Sequence, residues 1–99
     1  MQIKEVKQSD KIVLELSGRI DAAASPQLQQ AILLSFQKMK QVVLDFEKVQ
    51  YIASAGLRAL MLGQKTAMSK GGSMKLVHVC DLVMEVFEMT GFSDMLSIE

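Results

Sequence analysis

The run Gln41-Val42-Val43-Leu44-Asp45-Phe46 constrains the fold more than any other stretch of the chain. It is short, β-branched and apolar on both faces, the pattern of a central strand covered on both sides. A helical pattern precedes it. Leu28, Ala31, Ile32, Phe36 and Met39 recur at helical spacing, which places a helix at about residues 26–39. Ser25-Pro26 opens it: serine can cap free N–H groups, and proline fits the first helical position because its missing N–H has no partner there. A second helical pattern follows, from Ala55 to about Ser69, with an apolar stripe of Leu57, Leu60, Met61, Ala67 and Met68. Gly71-Gly72 stops that helix. A strand that follows a helix in one sheet implies a right-handed crossover and a parallel neighbour.

The remaining segments complete an alternating order. Lys11 to Ser17 alternates, with Ile12, Leu14 and Leu16 on one side, and ends at Gly18. Ile3 to Lys7 is a weaker strand, and Gln8-Ser9-Asp10 makes a hairpin turn, so this pair is expected to be antiparallel. Met74 to Val79 reads as another strand. Asp81 can cap a third helix from Leu82 to Thr90, with Leu82, Val83, Val86 and Phe87 inward, Met84 and Met89 near the edge of the apolar face, and Gly91 at its end. Met95 to Ile98 is a short final strand. The order β-β-α-β-α-β-α-β specifies an α/β domain: a small mixed, mostly parallel β-sheet with helices packed on it, one domain over residues 1–99.

Counting residues excludes several chemistries. Eleven basic residues balance eleven acidic ones, which leaves no electrostatic footprint for nucleic acid or an anionic membrane. Cys80 is the sole cysteine, so no internal disulfide and no thiolate cage for zinc can form. His78 is the sole histidine, so no pair of imidazoles can hold a metal, and no nucleophile–base pair has supporting spacing. No cofactor is implied. No signal peptide opens the chain and no apolar run approaches the roughly 20 residues of a membrane span. The expectation is a reduced, cytoplasmic protein.

Ser54 is the sharpest candidate for function. It falls between a tight strand exit and a helix start, at the expected N-cap, where unpaired N–H groups and the helix dipole favour a phosphate. Ala53, Ala55 and Gly56 beside it are small, which lets a partner's active site approach closely. The plain alternative is a serine N-cap worth about 1 kcal/mol. Asp21, at the exit of the second strand, could share the carboxyl edge of the sheet with Ser54; alone it reads as a cap or turn residue. Arg58, one turn into the helix, could meet an acidic partner or a phosphate. Asp45 reads as a structural acid held by backbone N–H groups, and His78 and Cys80 as partly buried structural residues.

Three elements resemble the STAS family, which includes anti-sigma factor antagonists and cytoplasmic domains of sulfate transporters. They are Leu16-Ser17-Gly18-Arg19-Ile20-Asp21, then Tyr51-Ile52-Ala53-Ser54-Ala55-Gly56-Leu57 after the apolar strand, and Phe87-Glu88-Met89-Thr90-Gly91-Phe92. They occur in the family's order over essentially the whole chain. The resemblance implies that Ser54 occupies the phosphoacceptor position of an antagonist. It implies that the unmodified form binds an anti-sigma factor that is also a serine kinase, freeing a sigma factor for transcription. Phosphorylation would end that binding, and a serine/threonine phosphatase would reset it. Ala53 replaces the aspartate that usually precedes the acceptor and removes an acidic determinant of kinase recognition. Ala55 replaces the second Ser/Thr and removes a competing acceptor.

Three functional classes remain in view. The first is the phosphorylatable antagonist, with Asp21, Ala53, Ala55, Gly56 and Arg58 as its contact surface. The second is a binding module of the same fold without phosphorylation, docking in a transport or signalling assembly or holding a nucleotide at the Asp21–Ser54 edge. The third, an enzyme, lacks a recognisable catalytic constellation, so the chain is expected not to be one.

Overall fold

In the computed structural model, which describes residues 1–99, the expected order is found. The elements are β1 (Gln2–Lys7), β2 (Ile12–Ser17), α1 (Ser25–Lys38), β3 (Gln41–Lys48), α2 (Ser54–Ser69), β4 (Ser73–Val77), α3 (Asp81–Thr90) and β5 (Ser97–Ile98), with a 3₁₀ turn at Phe92–Asp94. The sheet runs β1-β2-β3-β4-β5. The β1–β2 pair is antiparallel, closed by the Gln8 N–H donating to the Lys11 carbonyl at 2.8 Å. The other pairs are parallel.

This topology corrects the expectation for β3. Each of the three crossovers (β2 to β3, β3 to β4, β4 to β5) moves one strand in the same direction. A constant right-handed crossover with a constant direction of travel puts every helix on one face of the sheet. The pleat then separates two sets of side chains. Ile12, Leu14, Val42, Leu44, Phe46 and Leu76 are buried under the helices. Val13, Glu15, Val43, Asp45, Lys75 and Val77 alternate with them on the other face, and none of these is fully buried. β3 is therefore covered on one side, and its second apolar set ends at Asp45.

The helices sit close to the sheet because small residues and aromatic edges allow it. A methyl group on Gly63 of α2 would overlap Met74 of β4 and Ile32 of α1, at 2.7 and 2.9 Å. Phe87 of α3 meets Phe46 edge-on, with ring centroids 6.3 Å apart. The helical stripes are narrower than their sequences suggest. Met68 and Leu82, expected inward, are 72% and 63% exposed. Met68 lies in the last turn of α2 and Leu82 in the first turn of α3, so both fall at helix ends. No helix is long and apolar enough to cross a membrane.

Candidate functional site

The segments leaving β2 and β3 are sewn together by main-chain hydrogen bonds. The Ile20 N–H donates to the Tyr51 carbonyl at 3.0 Å, and the Ala53 N–H donates to the Ile20 carbonyl at 2.8 Å. The isolated parallel bridge between Ile20 and Ile52 fixes how the chain enters α2. Ala53 is the N-cap, extended at φ −93° and ψ 170°, and Ser54 is the first helical residue. The sequence reading placed Ser54 at the cap, one residue too late. The cap is set by where the bridge releases the chain, a long-range constraint without a local signature.

The consequence for Ser54 is direct. The Gly56 and Leu57 N–H groups both donate to the Ala53 carbonyl, at 2.9 and 3.1 Å, whereas the Ser54 and Ala55 N–H groups have no backbone acceptor. The N-cap supplies no side-chain acceptor and the first turn contains no acidic residue. Ser54 is exposed between two half-buried alanines. Ser25, Ser35, Thr66 and Thr90 each donate their hydroxyl to a backbone carbonyl, and Ser54 does not. An exposed hydroxyl thus stands at the positive end of a 16-residue helix beside two free donors.

Alanine at this cap leaves stability unrealised. Ala53→Asp places a carboxylate in N-cap geometry and is expected to stabilise the fold by about 0.5–2 kcal/mol. A thermal melt should rise by several degrees, at roughly 4–8 °C per kcal/mol for a domain of this size. An unchanged melting temperature would show that the cap donors are satisfied in another way.

Asp21 acts as the local turn residue considered for it. Its Oδ1 accepts the Ala24 N–H at 2.9 Å, and its carbonyl accepts the Ser25 hydroxyl at 2.7 Å. Ser25 is therefore buried inside the first turn of α1, with Ala24 rather than Ser25 at the cap. A shallow groove between the starts of α1 and α2 is lined by Ser25, Pro26, Ala55 and Arg58. Arg58 is exposed. Gly56, expected on the contact surface, is buried instead. A methyl there would overlap Ile20 and Ile52 at 2.6 and 2.8 Å, so glycine lets α2 close against the bridge.

Two further residues complete the exposed rim and were missed in the sequence. The Arg19 guanidinium lies 4.0 Å from the centre of the Tyr51 ring, across the bridge. Arginine and tyrosine are common anchors of protein interfaces. The pairing is cross-strand, so spacing along the chain does not reveal it.

Asp45, near the C-terminal end of β3, accepts the Glu47 N–H at 2.9 Å and lies 3.0 Å from His78 Nδ1. The structural role expected for Asp45 is present in the first of these bonds. His78, expected to be partly buried, is exposed because a left-handed backbone (φ 58°) turns it out of β4. Cys80 is half-buried, with its thiol 3.5 Å from the Val49 carbonyl. The Asp45 hydrogen bond and then its charge raise the His78 pKa above its ordinary value of 6.5, against an opposing effect of desolvation, and the more distant Glu47 adds the least. Because the folded-state value is the higher one, the pair contributes stability below pH 6.5, and that contribution is lost as pH rises through the raised value. NMR titration should give His78 an apparent pKa above 6.5, returning toward it in Asp45→Asn. Equal values in both proteins would show that the pair does not persist in solution.

The match to the family described as Mlab, STAS domain spans residues 3–97. The anti-sigma-B factor antagonist of Listeria monocytogenes is 30% identical over 101 residues, covering 100% of this chain and 87% of the relative. Among solved structures, the anti-sigma factor antagonist SpoIIAA in its unphosphorylated form has a TM-score of 0.83 at 19% identity, over 99% of this chain and 88% of that one. The phosphorylated form of SpoIIAA, a Bacillus cell fate determinant, has a TM-score of 0.76 at 18% identity, over 99% and 91%. The structural likeness is one of fold, and the three-element sequence pattern, the sheet order and the family match agree: this chain belongs to the STAS domain family.

Proposed function

We propose that the protein is an anti-sigma factor antagonist whose unmodified form binds an anti-sigma factor with serine kinase activity, and that phosphorylation of Ser54 ends the complex. It acts by binding and not by catalysis, and a serine/threonine phosphatase restores it. The observation that carries this reading is Ser54 itself: an exposed, uncommitted hydroxyl at the start of α2, between small side chains and beside two free N–H donors. The names of the Listeria relative and of SpoIIAA support the partner class. That SpoIIAA is described in both forms supports the switch.

Phosphate adds about −1.5 to −2 charges. The helix start tolerates such charge, so the fold is expected to survive modification and the interface to fail. Asp21, Ala53, Ala55 and Arg58, with Arg19 and Tyr51, are the exposed or half-buried residues flanking that interface.

The test is the intact mass of the protein from its native cells, with Ser54→Ala alongside. A gain of one phosphate that vanishes in the variant supports the switch. No modification across growth conditions favours the second reading, a STAS binding module without phosphorylation, for which the missing acid at Ala53 is the motive. The nucleotide version of that reading is the weaker one. Ligands of open α/β sheets favour a crevice where strand order reverses, and the parallel strands β2-β3-β4-β5 advance without reversal.

A further inference from the structure

Three donor atoms of two chemical kinds converge where β3 and β4 end. Asp45 and Glu47 are two apart on β3 and so face the same, uncovered side of the sheet. Val77 pairs with Asp45 in the β3–β4 register, and His78 follows it immediately. His78 Nδ1 is 3.0 Å from Asp45 Oδ1 and 3.9 Å from Glu47 Oε2, and the three groups offer donor atoms all within 4.8 Å of one another.

We propose that Asp45, Glu47 and His78 bind a divalent metal ion of the zinc class. The chemistry suits it: neutral imidazole and carboxylate are both zinc ligands, and two carboxylates balance the charge of the ion. The spacing suits it as well. Ligands at about 2.0–2.2 Å from a tetrahedral zinc lie roughly 3.3–3.6 Å apart, between the two distances from His78. Asp45 is held in place by the Glu47 N–H, whereas the exposed Glu47 and His78 side chains are free to shorten the longer separations, which reach at most 4.8 Å. Asp45 and Glu47 also line an open cleft together with Glu15, the register partner of Asp45, and His78 stands outside it with an exposed side chain, so the donor atoms are reachable from solvent.

Three protein ligands leave a coordination position for water or for an oxygen of a bound partner. The ion would also tie the end of β3 to the turn that starts α3. Residue counting removed thiolate cages and paired imidazoles from consideration, but one imidazole with two carboxylates passes that filter.

Titration calorimetry of the full chain with zinc chloride tests the proposal, with magnesium chloride as comparator and amide NMR to locate the site. The expected result is one-to-one zinc binding with shifts centred on Asp45, Glu47 and His78. Glu47→Gln and His78→Gln should each weaken it by about tenfold or more, and Cys80→Ser should leave it unchanged. Both weakening variants are at exposed positions, and the wild-type NMR map stands independently of them. Absence of saturable binding up to about 1 mM zinc, equal binding in both variants, loss in Cys80→Ser, or tighter magnesium than zinc binding would each overturn it.

Discussion

Ser54→Asp is expected to lower affinity for the anti-sigma factor by roughly a hundredfold or more, about 2.7 kcal/mol, with the melting temperature unchanged or slightly raised. The two halves of this expectation rest on the same geometry. A carboxylate at the first position of α2 meets the free Ser54 and Ala55 N–H groups and the positive end of the helix. A charge placed there contributes about 0.3–1 kcal/mol to the fold. Toward a partner, the same charge replaces a small neutral hydroxyl between Ala53 and Ala55. Desolvating it without a counter-charge, or bringing it against a like charge, costs several kcal/mol across an interface. Binding by calorimetry and a thermal melt on the same samples separate the two effects. Loss of fold with binding intact per folded molecule would sink the assignment of Ser54 as the switch.

Gly72→Ala is expected to be the most damaging single methyl addition outside the helices. The α-carbon of Gly72 packs on the main chain at Lys40, and a Cβ would fall within bonding range of the Lys40 carbonyl oxygen. That oxygen accepts the Ser73 N–H at 2.8 Å, the bond that starts β4 beside β3. The Gly72 N–H in turn donates to the Ala67 carbonyl at 2.8 Å and closes α2. Backbone stands on both sides, so no rotamer change relieves the overlap. A cost at the upper end of overpacking, about 3 kcal/mol or more, is expected, with a drop in melting temperature of more than about 10 °C. Gly71→Ala is the control. Gly71 has φ +68° and nothing near its missing Cβ, so only the left-handed penalty of roughly 1–2 kcal/mol applies. If Gly72→Ala is no worse than Gly71→Ala, the close approach at Lys40 is wrong.

The element order was legible in the sequence because each element carries its own signal. The alternation of Ile12, Leu14 and Leu16, Pro26 at the start of α1, and Gly91 in a left-handed C-cap are local facts. What was not legible depends on partners distant in sequence. Val42-Val43-Leu44 reads as doubly buried, and only the direction of successive crossovers shows that Val43 faces outward. Met68 and Leu82 fit their helical stripes, but a wheel does not show which positions at a helix end stay exposed. Ser54 was found as the residue of interest and misplaced by one position, because the Ile20–Ile52 bridge, not the serine, decides where α2 begins. The partnership of Asp45 with His78 joins residues 33 apart and has no periodicity to betray it.

The bridge has an evolutionary consequence. Its hydrogen bonds hold the Ser54 loop beside the β2 exit through main-chain N–H and carbonyl groups, which every non-proline residue possesses. The buried Ile20, Ile52 and Gly56 are constrained by packing, whereas the outward Arg19, Tyr51 and Arg58 side chains take no part in those hydrogen bonds. Substitutions at those positions can therefore change the exposed rim without moving the Ser54 hydroxyl. A lineage of such domains can diverge on its exposed rim while the backbone geometry at Ser54 stays fixed.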